Sequence, residues 1–161
     1  MHRVGQVVAH VRARVAPEEE AFAARVLGPQ ALPLFAGMPV ADRRHGLDVA
    51  ERLVASGYDD RDLVGAALLH DAAKGHRMRL WHRIAGVVLG ALAPSMLERL
   101  ASPDPRSRRH PFHLYLHHEQ MSAQLAEAAG CSARLAAFIR GTAEGTDVRL
   151  LVALRAADDA S

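Results

Sequence analysis

The chain is poor in the residues that build strands and covalent staples. Of its 161 residues, one is cysteine, one tryptophan, two tyrosine and four phenylalanine. A single Cys131 excludes an internal disulfide, fits a reducing cytosol and reads as a small core filler. Few aromatic or β-branched residues leave little to build strands from, so the expected fold class is all-α. The longest apolar run, Ile84 to Ala93, is far short of the roughly 20 residues that cross a bilayer. The opening stretch MHRVGQVVAHVRARVAPEEE lacks an apolar h-region and a small-residue cleavage site, so the expected location is cytoplasmic. A formal charge of only +2 carries no strong nucleic-acid signal.

What the chain does have is ten histidines, more than packing requires, in a sequence half apolar and 24% charged. That composition suits one domain with a real core. Glycine and proline punctuate it into helices. A first is expected from His2 to Val15. Pro17 opens a second, with Glu18 to Glu20 suiting the dipole of its first turn, and Gly28-Pro29 closes it. After a short segment at Leu32 to Phe35, a helix runs from Ala41 to Ser56 and stops at Gly57. Asp59 or Asp60 caps the next, which should reach Gly75. Leu80 to Leu92 is helical, and Pro94 restarts a turn or two to Leu100. SPDPRSRRHP, residues 102 to 111, is the one clear loop. A helix then spans Phe112 to Gly130, Ser132 caps one ending at Arg140, and Asp147 caps a last one from Val148. No internal repeat appears.

The stretch ALLHDAAKG, residues 67 to 75, sets His70 and Asp71 behind small and apolar residues. At 100° per residue, Leu63, Ala66, Ala67, His70 and Lys74 share a helix face, with Asp71 one step around. A buried imidazole and carboxylate need partners, and a metal satisfies both. Other polar residues also fall on apolar faces. His45 stacks with Val49 and Leu53, His118 with Leu114, Met121 and Leu125, and Asp158 falls between Leu151 and Leu154. Taken singly, an inward histidine is more often a hydrogen-bonded core residue than a ligand.

His45, the His70-Asp71 doublet and Asp158, in that order on separate helices, resemble the H…HD…D signature of the HD-domain superfamily of metal-dependent phosphohydrolases. LLHDAAKG is similar to the family's L-L-H-D-[IV]-G-K, with Ala73 in place of glycine. HHEQMSAQLAEAAG resembles the H-P-E-x-G-A-x-L-A segment and places its histidine at His118. LRAADDAS is similar to the closing A-D helix and places its aspartate at Asp158. The likeness covers Asp42 to Ser161. It implies an HD-like domain over 41–161, a compact multi-helix bundle with a metal site between helices. Residues 1–40 would be N-terminal helices that pack on it or form a lid.

The resemblance further implies that His45, His70, Asp71 and Asp158 hold a divalent metal, one ion, or two where Asp71 bridges. Imidazole and carboxylate suit Mn, Fe, Co, Ni or Zn without naming one. The implied reaction is hydrolysis of a small phosphoester, a nucleotide among the candidates, by metal-activated water, with catalytic roles for Asp71, Lys74 and His118. Lys74 has two readings, a phosphate contact or a surface lysine favoured by a helix C-terminus. Arg44 and the basic run Arg77, Arg79 and Arg83 divide likewise between pocket rim and solvated face. The chain departs from two-metal members after AAFIR, where RGTAEGTD replaces the usual histidine, which leaves three readings: Glu144 substitutes, the second metal binds weakly, or the site is mononuclear with His118 contacting metal, water or substrate. The G-Y-P motif of cyclic-dinucleotide phosphodiesterases is also missing.

The alternative function is a metal-containing binding or regulatory module of the HD type that turns nothing over. A third reading is attachment to a membrane surface or acidic partner through Arg77 to Arg83 and Arg106 to Arg109. The run after HRMRLWHR reads first as a basic helix start leading into a buried helix, with Trp81 as a packing anchor. His113 and His117, an i, i+4 pair with His110 nearby, have zinc-compatible spacing but read better as a solvated or pH-sensitive cluster. His2, His10, His76 and His82 have no assignable partner. Nothing in the sequence fixes an oligomeric state.

Overall fold

A computed structural model describes residues 14–161 except Arg77 and Arg79, and it omits the side chains of Leu80 and Arg83. The described residues are all helical or loop: α1 (Pro17–Ala36), α2 (Val40–Ala55), α3 (Arg61–Leu69), α4 (Leu80–Leu92), α5 (Pro94–Leu100), α6 (His110–Ala128), α7 (Ala133–Arg140) and α8 (Asp147–Asp159). The helix expected from His2 lies outside the described residues, apart from Arg14 and Val15, which are not helical.

α1 begins as its sequence dictates, with Pro17 in the first turn and Glu19 Oε2 accepting the Ala16 N–H at 2.7 Å. Gly28 does not end it. At φ 73° and ψ 177° it bends the chain, and Pro29 restarts helix that continues to Ala36. One kinked element therefore replaces the expected helix and separate short segment. Ala23, Ala31 and Phe35 carry both halves into the core.

α3 is the centre of the molecule. Every residue from Leu63 to Leu69 is buried, and α3 packs against α1, α2, α6, α7 and α8. A helix apolar all round demands such a position. Two glycines bring neighbours close: a methyl group on Gly46 of α2 would lie 3.0 Å from the Leu68 carbonyl oxygen and 3.1 Å from that of Ala67, and one on Gly65 would overlap Leu135 of α7. Asp60 caps α3 by accepting the Leu63 N–H at 3.0 Å.

α4 departs from the expected buried helix. Trp81, Ile84, Val87, Val88 and Leu92 are exposed on it, because among the described residues α4 packs chiefly on α5 and α6 at the edge of the bundle. Trp81 is 55% exposed and leans on His82, ring centroids 3.6 Å apart, with Phe112 at 6.2 Å. Among the described residues, no helix is long and apolar enough to cross a membrane.

Candidate metal centre

α3 stops at Leu69, six residues before the expected Gly75, and residues 70–76 form successive turns. The Ala72 N–H reaches Leu69 O and the Lys74 N–H reaches Asp71 O, both three residues back and thus tighter than α-helix. Between them the Ala73 N–H leaves the ladder for Ser122 Oγ of α6, at 3.0 Å, and Ser122 is fully buried. This polar tether is invisible to helical periodicity. It anchors the turn on α6 and sinks Asp71 to 1% exposure.

Four helices converge there. His45 Nε2 of α2 lies 2.8 Å from Asp158 Oδ1 of α8, and His70 Nε2 lies 3.5 Å from the same oxygen. The His45 and His70 rings meet edge to face at 5.1 Å between centroids, an approach that Gly46 beside His45 permits. Asp71 Oδ1 is 3.6 Å from His70 Nε2 and 3.8 Å from His118 Nε2 of α6. Thus all six residues singled out in the sequence, Lys74 included, come together. Donor atoms of His45, His70 and Asp158 fall within 4.8 Å of one another, close to the roughly 4.2 Å span of opposite ligands on a cation with ~2.1 Å bonds. Asp71 stands next to this trio, across His70.

Two hydrogen bonds fix imidazole tautomers. His70 Nδ1 donates to Ala67 O at 2.8 Å and His118 Nδ1 to Tyr115 O at 3.0 Å. In the neutral imidazole each bond leaves the Nε2 lone pair facing the centre, the usual preparation of a ligating histidine. His70 Nε2 and Asp71 Oδ1 are buried with no hydrogen-bond partner. Lys74 Nζ approaches both Asp71 oxygens, 2.6 Å from Oδ1 and 2.7 Å from Oδ2, but only the bond to Oδ2 has hydrogen-bond geometry. Lys74 is therefore committed to Asp71.

Charge here is strongly coupled. Burial opposes the His70 imidazolium, but the Asp71 and Asp158 carboxylates outweigh it and raise its pKa to about 9. Burial likewise opposes the Asp71 and Asp158 carboxylates, yet neighbouring histidines, and Lys74 at Asp71, hold both well below the usual range. Burial and then Lys74 push His118 down, which keeps it neutral.

Other expected residues fall elsewhere. Arg44 pairs with Glu19, with Asp48 at 2.9 Å and with Glu51 at 3.3 Å, a surface network away from the centre. Glu144 is exposed and does not line the cleft. Arg77 and Arg79, and the Arg83 side chain, lie outside the description. His110 opens α6 rather than sitting in the loop, and its Nδ1 donates to Ser102 O at 3.1 Å. Its ring stacks on His113 at 5.7 Å, with His117 4.5 Å beyond, without donor convergence.

The cleft encloses about 480 Å³ including its open mouth. Five lining residues were not foreseen: Glu119, Phe138, Ile139, Gly141 and Arg155. A separate groove bordered by Glu18, Glu19, Phe22, Glu51, Val54 and Ala55 has no convergent histidines. No protein-family model matches the chain, and no curated protein or solved structure matches it either.

Proposed function

We propose that this chain is a metal-dependent phosphohydrolase of the HD type, acting on a small phosphoester. One observation carries the reading. His70 Nε2 and Asp71 Oδ1 are buried 3.6 Å apart without a hydrogen-bond partner, and donor atoms of His70, His45 and Asp158 lie within 4.8 Å of one another. Leaving two such groups unsatisfied is costly, and a cation held by these residues would remove the cost. The donor set of imidazole and carboxylate fits Mn, Fe, Co, Ni or Zn.

A divalent cation supplies Lewis acidity there, acidifying water and polarising a phosphoryl oxygen. The chain's own residues do the rest. His45, His70, Asp71 and Asp158 supply donors, and the Ala67 carbonyl keeps the His70 lone pair inward. Lys74 orients the Asp71 carboxylate. His118, neutral and with Nε2 turned to the centre, is placed to accept a proton. The regulatory reading, metal without turnover, is favoured by one feature: exposed Glu144 leaves a second metal without a replacement for the missing histidine.

Elemental analysis of the purified protein and of Asp71→Ala, followed by assay of metal-loaded protein on a chromogenic phosphodiester and a nucleotide panel, tests both. Metal near one equivalent in the wild type, at least tenfold less in the variant, and turnover by the wild type are expected. Metal without turnover supports the regulatory module. No metal in the wild type sinks both readings.

A further inference from the structure

The cleft has two cations in its lining, and they are in different states. Lys74 is bound to Asp71, whereas Arg155 makes no ion pair or hydrogen bond with any described residue. Arg155 lies one turn before Asp158 on α8, so the two side chains leave the helix on the same side. Its guanidinium rests on Gly141, the left-handed residue that ends α7 at φ 71°. Any side chain at 141 would overlap that guanidinium. The left-handed turn favours glycine there, and its lack of a side chain lets the arginine tip sit against it.

Resting on the hydrolase reading above, we propose that Arg155 holds the phosphate of the substrate, the task the sequence offered to Lys74. An unpaired guanidinium at the mouth of a cleft presents a planar fork of donors matched to two phosphate oxygens. The lining without metal sets three carboxylates, Asp71, Asp158 and Glu119, against Lys74, Arg155 and two histidines, so it has no excess of positive charge to draw in an anion. A divalent cation would add that excess. Phosphate recognition therefore needs the metal and Arg155 together, which ties anion binding to a charged centre.

Calorimetric titration of inorganic phosphate into metal-loaded wild type, Arg155→Ala, Arg155→Gln and Arg155→Lys tests this, with metal content measured on each sample. Expected are metal content unchanged in all four, phosphate affinity lower by about tenfold or more in the Ala and Gln variants, and partial recovery in Lys. Chelated wild type should bind no phosphate. Equal affinity in wild type and Arg155→Ala, or no binding by metal-loaded wild type at millimolar phosphate, overturns the assignment of Arg155 and leaves the metal site standing. Absence of metal from the wild type overturns the hydrolase reading itself, and this proposal with it.

Discussion

The two ends of α3 each join charged groups from several elements, and they have opposite characters. At the N-terminal end Arg134 of α7 meets Asp60 at 2.8 and 2.9 Å and forks onto Asp147 of α8 at 2.7 and 2.9 Å. Each of those charges has its counter-charge and stays wet. At the C-terminal end Asp71 is buried and the His70 side chain is 13% exposed, and one buried atom of each, His70 Nε2 and Asp71 Oδ1, has no hydrogen-bond partner. A completed ion-pair cluster is architecture, whereas an incomplete buried one invites a further charge.

The sharpest way to separate the ends is pH. His70 has a pKa raised from 6.5 to about 9 in the folded chain. In chelator-treated protein its contribution is fully present below pH 6.5 and is lost as pH rises through about 9. The loss is of the order of 3 kcal/mol at 1.36 kcal/mol per unit. Urea unfolding at pH 6, 7.5 and 9 should show this decline, and metal binding near pH 7 should release about one proton. The other end titrates elsewhere. Arg134 holds Asp147 below its ordinary 3.8, so that contribution is present above pH 3.8 and falls only in acid. Stability that stays flat from pH 6.5 to 9 in the chelated protein would remove the distinction.

A smaller effect is expected from Gly46→Ala. The added methyl would meet the Leu68 and Ala67 carbonyl oxygens at 3.0 and 3.1 Å, and backbone cannot swing away as a side-chain tip does. α2 must retreat by tenths of an ångström, at a cost of about 1–3 kcal/mol. Since Ala67 O also holds His70 Nδ1 and His45 adjoins Gly46, metal affinity should fall with stability. A variant that lost stability but kept full metal affinity would show that the centre does not depend on this helix contact.

Much of this was legible because local rules governed it. Proline and acid residues opened α1, Ser132 and Asp60 capped α7 and α3, and buried Leu151 and Leu154 flanked Asp158 as their spacing required. What was not legible depended on tertiary partners. α3 ends early because Ser122, far along the chain, takes the Ala73 N–H. Asp147 was expected to cap α8, but it is the first helical residue and is drawn sideways to Arg134. The exposed face of α4 has the same periodicity as a buried one, so only its position at the bundle edge tells them apart. Gly46 and Arg155 carried weak signals, a small residue beside a candidate ligand and a cation one turn before another.

The least effect should come from breaking the complete cluster. Arg134→Met leaves Asp60, Asp62 and Asp147 near one another without a cation, but each keeps access to water: their side chains are 33%, 29% and 25% exposed. Asp60 also retains its bond to the Leu63 N–H, so α3 stays capped. Solvent-screened pairs contribute little, and the fall in melting temperature should be at most about 3 °C, shrinking further in high salt. Metal content should not change, because α3 is rigidly packed between its ends and the candidate ligands all lie at the other one. Loss of metal in Arg134→Met, measured on a variant that remains folded, would mean that the two ends of α3 act as one unit and that the wet cluster sets the geometry of the buried one.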